Sequence, residues 1–203
     1  MIPLRDVIPS RTFPAATLAL VSTALLLFLV RELSAGSASR DGWMLPLAAL
    51  FGHGGRAGFV ADALCLWIFG ETVEDRTGHA RVLLIAVTGV ATGAAAGAML
   101  EAGPAALGTA AVAAVMGAYF ARFARSRVLV LLPIPFAAAI VEVPATALLG
   151  AWALVHLAAT APGGGIDLDT TLPHAAAFGA GALLAIGLMR PERLRADWAG
   201  GGG

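Results

Sequence analysis

Six stretches of this sequence are so apolar and so close to membrane-spanning length that they dictate the fold before any motif is read. They run roughly over 14–31, 57–70, 80–99, 105–121, 128–158 and 172–189. A hydrocarbon core about 30 Å thick needs roughly 20 apolar residues per helix. The second stretch is short unless it continues through Gly70-Glu71-Thr72-Val73. The fifth contains Pro133 and Pro135 and then Glu142-Val143-Pro144. Proline removes a backbone donor and disfavours helix before it, so 128–140 reads as a bent or interfacial lead-in and the spanning helix as about 142–160. No period-two strand pattern is read anywhere, and spanning strands would need a closed barrel. The expectation is an all-α polytopic membrane protein: one domain over 1–203, with a six-helix bundle over 14–189.

Composition agrees. Of 203 residues, 59% are apolar and 13% charged, against about 45–50% and about 25% in globular domains. Mean hydropathy is +0.84. The 13 basic and 13 acidic residues cancel. A soluble domain, a disordered tail and a nucleic-acid binder with a basic face are excluded. The first stretch is read as a span rather than a cleaved signal, because its apolar run is long and five more spans follow. Cys65 has no partner for a disulfide and no zinc-ligand spacing.

Every basic residue is arginine, and arginine placement orients the bundle. With six spans, Arg5, Arg11, Arg76, Arg81, Arg122, Arg125, Arg127, Arg190, Arg193 and Arg195 share one side, and Arg31, Arg40 and Arg56 the other. The positive-inside rule then puts both termini, 1–13 and 190–203, in the cytoplasm, and the expected location is the inner (cytoplasmic) membrane. Ser34 to Arg56 becomes a long outer loop in which Trp43, Met44 and Leu45 can lie in the interface.

Ionisable groups at membrane depth are costly and face the bundle interior, so they are the default functional candidates. Here they are Asp62, His156 and His174, with Glu142 near an interface and Thr109 as the notable hydroxyl. Each has a plain alternative: a membrane threonine commonly bonds a carbonyl of its own helix, and a lone histidine commonly joins two helices. Small residues crowd the fourth and sixth spans, from Gly108 to Ala118 and from Ala175 to Gly181. Close backbone packing there would bring Thr109 towards His174, and a hydroxyl beside an imidazole is the start of a nucleophile–base pair. No Walker, dinucleotide or His-Glu-x-x-His pattern occurs, Pro162-Gly163-Gly164-Gly165 reads as a loop, and no metal or organic cofactor is assigned. A proton or solute pathway through Asp62, His156 and His174 finds no inverted repeat to support it.

Several short motifs occur in a telling order. They are Met1-Ile2-Pro3-Leu4-Arg5-Asp6 with Pro9-Ser10-Arg11-Thr12-Phe13-Pro14, then His53-Gly54-Gly55, then Leu66-Trp67-Ile68-Phe69-Gly70 with Val73-Glu74-Asp75-Arg76 and Gly78-His79. Val115-Met116-Gly117-Ala118-Tyr119, Arg127-Val128-Leu129, Glu142-Val143-Pro144-Ala145 and His174 follow. Together they resemble the rhomboid intramembrane serine proteases in their bacterial six-helix form. The resemblance implies a Ser–His dyad on the fourth and sixth helices, with the Ser in Gly-x-Ser-Gly. It also implies an oxyanion hole from a His and an Asn four residues apart on the second helix. Aligned on Gly117-Ala118-Tyr119, the nucleophile position is Thr109, with Leu107 and Ala110 in place of the motif glycines. Aligned on His53 and Trp67, the oxyanion positions are Gly58 and Asp62. His174 alone matches the family's residue.

The departures have physical consequences. Thr109 keeps an Oγ, but its methyl restricts χ1 and crowds the approach of a carbonyl. Gly58 has no donor, and an ionised Asp62 would oppose a developing oxyanion; one lost oxyanion donor costs on the order of 10²–10³ in rate. The expectation is a catalytically impaired family member, a pseudoprotease that binds transmembrane client helices within the bilayer. The alternative is an active intramembrane endopeptidase with Thr109 as nucleophile and His174 as base.

Overall fold

The computed structural model describes residues 2–6, 10–34, 55–101, 109–134, 137–160 and 167–189. Among them are six helices, one for each expected span: α1 (Ala15–Ser34), α2 (Gly55–Thr77), α3 (His79–Met99), α4 (Ala110–Phe123), α5 (Ala145–Thr160) and α6 (Leu168–Leu188). Two of them, α3 and α6, are each 21 residues long and apolar enough to cross a membrane, with mean hydropathy 1.9 and 1.5. Shorter apolar runs lie in α1, α4 and α5. The helical membrane bundle expected from the sequence is the observed architecture.

The reading without strands needs correction. β1 (Ile2–Asp6), β2 (Arg127–Ile134) and β3 (Ala137–Pro144) form an antiparallel sheet in the order β1-β2-β3. The bent or interfacial lead-in expected over 128–140 is mostly a hairpin, with Leu129 opposite Glu142 and Val130 opposite Val141. The fifth helix accordingly begins at Ala145 and not near 142. Burial alternates along β2, with Val128 and Val130 inside and Arg127 exposed, yet the residues on both faces are apolar. Period-two polarity is thus erased from the sequence.

Inside the bundle small residues line the closest helix contacts, as packing in lipid favours. Along α3, Val82, Ile85, Ala86, Gly89, Gly93 and Gly97 are buried, while Leu84 and Val87 face out. Along α6 the buried positions are Pro173, Ala177, Gly181 and Ala185, one per turn. Every residue of α4 from Ala110 to Tyr119 is buried, which makes α4 the central helix. It meets α6 backbone to backbone: a Cβ on Gly117 would lie 1.9 Å from the Phe178 carbonyl oxygen, and one on Gly181 would lie 1.9 Å from that of Ala114.

The two helices are parallel. Towards their N-terminal ends they meet at Gly93 of α3, where a Cβ would lie 2.9 Å from Ala110 Cβ and 3.4 Å from the Pro173 carbonyl. Near their far ends Arg122 donates to the Ile186 carbonyl at 2.7 Å. At that same arginine-rich end Arg81 donates to the Leu188 carbonyl, also at 2.7 Å.

The arginine-rich end is fixed by carboxylates of α2 that follow its apolar run. Glu74 accepts from the backbone N–H groups of Ala16 (2.8 Å) and Thr17 (2.6 Å), so it caps the first turn of α1 from another helix. Asp75 Oδ1 accepts from the N–H groups of Arg11 and Thr12 and from the Thr12 hydroxyl, at 2.8–3.1 Å. Asp6, at the end of β1, accepts from the hydroxyls of Thr72 (3.1 Å) and Tyr119 (2.6 Å), which fastens the sheet to α2 and α4. Val73-Glu74-Asp75-Arg76 is thus the latch that holds the N-terminal segment on the bundle.

Candidate functional site

Thr109 and His174 stand at the same end of the bundle, opposite the arginine-rich end, on two helices in backbone contact. Thr109 is the residue before the first turn of α4 and not inside a helix, a small shift from the expected span of 105–121. Its carbonyl accepts from the Ala113 N–H at 2.8 Å. Its side chain is 3% exposed, and its Oγ1 makes no hydrogen bond among the described residues. Among the described residues it therefore does not follow the common course of a membrane threonine, a bond back to its own helix. Leu107 and Gly108 lie outside the described residues, as do His53, Trp43, Met44 and Leu45.

His174 lies in the second turn of α6, half-buried, and its Nδ1–H donates to the Thr170 carbonyl one turn earlier. A carbonyl only accepts, so in the neutral ring the proton sits on Nδ1 and Nε2 is the acceptor nitrogen. That is the tautomer a general base needs.

The other two positions lie one turn apart on α2. Gly58 is buried and contributes no side chain. Asp62 is 1% exposed and its Oδ1 accepts from the indole N–H of Trp152 on α5 at 2.7 Å. Trp152 escaped the sequence reading because it sits in no motif. The signal was nonetheless present, since a buried indole N–H needs an acceptor and Asp62 is the carboxylate at matching depth. The side chain of His156, also on α5, lies outside the described residues.

Away from the bundle's centre, α5 packs sparsely against its neighbours among the described residues. Between it, α6 and Phe120 of α4 runs a groove of about 430 Å³, walled by Trp152, Leu149, Ala153 and Phe178, with His174, Thr170 and Thr171 towards one end. Among the described residues no group of three or more His, Cys, Asp and Glu side chains could hold a metal ion.

At the arginine-rich end, outside the apolar spans, burial alone would raise the Glu74 carboxyl. Hydrogen bonds from Thr17, His79 and the backbone N–H groups of Ala16 and Thr17 outweigh it and hold the group below its ordinary value. His79 contacts Glu74 through Nδ1.

These features define a polytopic helical membrane protein whose fourth and sixth helices present a hydroxyl and an imidazole at one end of the bundle. The family described as Rhomboid domain matches residues 40–191, well over half of the sequence, and the chain belongs to the rhomboid family. Membership carries with it embedding in a lipid bilayer and membrane proteins as substrates or clients. No curated protein and no solved structure gives a significant match.

Proposed function

We propose that this protein is a catalytically impaired rhomboid that binds transmembrane client helices without cutting them, in an inner membrane with both termini cytoplasmic. The observation that carries the reading is the Asp62–Trp152 hydrogen bond. Asp62 takes the place of an oxyanion-hole asparagine, and its near oxygen is an acceptor engaged with an indole. When ionised, that carboxylate has no proton to offer an oxyanion and places negative charge where more negative charge would develop, whereas a protonated Asp62 that donates belongs to the active-enzyme reading below. Gly58 supplies no second side-chain donor. Thr109 keeps a hydroxyl but adds a methyl to the surface that a scissile carbonyl must approach.

The test is photo-cross-linking in intact membranes from Val60 of α2 (53% exposed) and Leu154 of α5 (67% exposed), with Val87 of α3 (65% exposed) as the lipid-facing control. Full-length membrane proteins captured at Val60 and Leu154 and not at Val87 support the reading. Equal capture at all three positions, or none, sinks it.

A second reading, an active endopeptidase with Thr109 as nucleophile and His174 as base, draws support from the His174 tautomer. It fails if Thr109→Ala leaves the cleavage of every co-expressed transmembrane substrate unchanged.

A further inference from the structure

The sheet at the arginine-rich end is fastened to α5 as well as to α2 and α4. β3 ends at Pro144 and α5 begins at Ala145, with no linker between them. The Ala145 N–H donates to the Ser126 carbonyl at 2.9 Å, which ties the first turn of α5 to the residue before β2. Ser126 is itself held by Tyr119. A carboxylate only accepts, so the Tyr119 hydroxyl gives its proton to Asp6 and accepts in turn from the Ser126 hydroxyl. One run of hydrogen bonds thus leads from the end of β1, past the end of α4, to the start of α5.

Among the described residues α5 buries a single stripe, Ala145, Leu149 and Trp152, and leaves Thr146, Gly150 and Leu154 exposed. The sheet holds one end of that stripe, and the Asp62 bond to Trp152 holds the other. At 1.5 Å per residue the two anchors lie about 10 Å apart. Weakening one anchor of a helix lowers the free energy of opening the segment it holds.

The sheet anchor depends on β1. A two-stranded hairpin is marginal by itself, and a third strand over a buried apolar face stabilises it. β1 is that third strand, paired with β2 from Ile2 opposite Leu131 to Asp6 opposite Val128, and Val128 and Val130 are buried. β2 and β3 are bounded by α4 and α5, whereas β1 lies ahead of α1 and can leave the sheet without withdrawing a helix from the bilayer. Its departure would also strip the fully buried Tyr119 of its carboxylate acceptor. We infer that β1 is a strap, and that its seating on β2 sets how firmly α5 closes on α2 at the Asp62–Trp152 contact. Whatever draws residues 2–6 away at the arginine-rich face is thereby felt at the candidate site. The inference stands on the sheet and α5 alone, whether client helices are bound or cut.

The experiment uses the full chain in phosphatidylcholine nanodiscs, with amide exchange read by mass spectrometry. Asp6→Ala removes the acceptor at the end of β1. Exchange is expected to accelerate severalfold in β2, in β3 and within 145–154, and to stay unchanged in α3 and α6. Rescue tests the strap itself. With Cys65→Ala in place, Ile2→Cys and Leu131→Cys put a disulfide across a β1–β2 pair. In the Asp6→Ala background the oxidised pair should return 145–154 to the parent's rate, and the reduced pair should not. Should Asp6→Ala fail to fold, the cysteine pair without it gives the comparison, with slower exchange in 145–154 when oxidised than when reduced. Faster exchange in the sheet with 145–154 unchanged overturns the inference. So does acceleration spread evenly through α3 and α6, a disulfide that leaves α5 exchange as it was, or no change in either sheet or helix.

Discussion

Trp152 on α5 donates its indole N–H to Asp62 on α2 at 2.7 Å, and both side chains are almost fully buried. The bond ties α5 to α2. Trp152→Phe keeps most of the apolar wall and removes the donor, a loss of about 1–2 kcal/mol. Amide exchange within 145–154 should accelerate roughly tenfold, since about 1.4 kcal/mol is a factor of ten in an opening equilibrium. Asp62→Asn should leave that exchange unchanged, because the amide oxygen still accepts from the indole.

The same pair sets an expectation for chemistry. A fluorophosphonate serine-hydrolase probe should leave the parent protein unlabelled. Thr109→Ser alone should also stay silent, because it restores a nucleophile and no oxyanion donor, and each missing donor costs on the order of 10²–10³. Labelling should first appear in Thr109→Ser combined with Asp62→Asn, whose amide keeps the Trp152 bond and adds a donor. It should vanish again with His174→Ala. Labelling of the parent that disappears with His174→Ala would instead establish the active-enzyme reading.

The bundle was legible because lipid solvent leaves so few choices. Six apolar stretches and the arginine bias gave six helices, and the small residues of the fourth and sixth spans gave the α4–α6 contact through Gly117 and Gly181. The hairpin was not legible, because Val128, Leu129 and Val130 are apolar on both faces and proline at 133 spoke against order. Trp152 was hidden for a different reason. Its partner is 90 residues away, and no local pattern encodes a pairing across helices. Glu74 and Asp75 read as a motif, but their role as caps for another segment needed the fold.

The α4–α6 crossing predicts a sharp size limit. Gly117→Ala would place a methyl 1.9 Å from the Phe178 carbonyl oxygen, and that oxygen belongs to a helix backbone that cannot step aside cheaply. Overpacking of this kind costs about 1–3 kcal/mol or more. A lower melting temperature in detergent is expected for Gly117→Ala and for Gly181→Ala, whereas Gly187→Ala, with open space at its Cβ, should be neutral. Equal melting temperatures for all three would refute the backbone contact.

Glu74 predicts how the arginine-rich end responds to acid. Its carboxyl is held below the ordinary value of 4.5 by hydrogen bonds that overcome burial. A depressed folded value means the unfolded chain binds the proton more readily, so the stabilisation is complete above 4.5 and is lost as pH falls through the lower folded value. Protonation weakens the cap on Ala16 and Thr17, and α1 should loosen first. Melting temperature in detergent should therefore drop as pH falls below 4.5, with early exposure of 15–34 to amide exchange. Glu74→Gln should lower stability at neutral pH by about 1–2 kcal/mol, the range for a lost helix cap, and flatten the acid limb. An acid limb that stays as steep in Glu74→Gln as in the parent would assign it to other carboxylates.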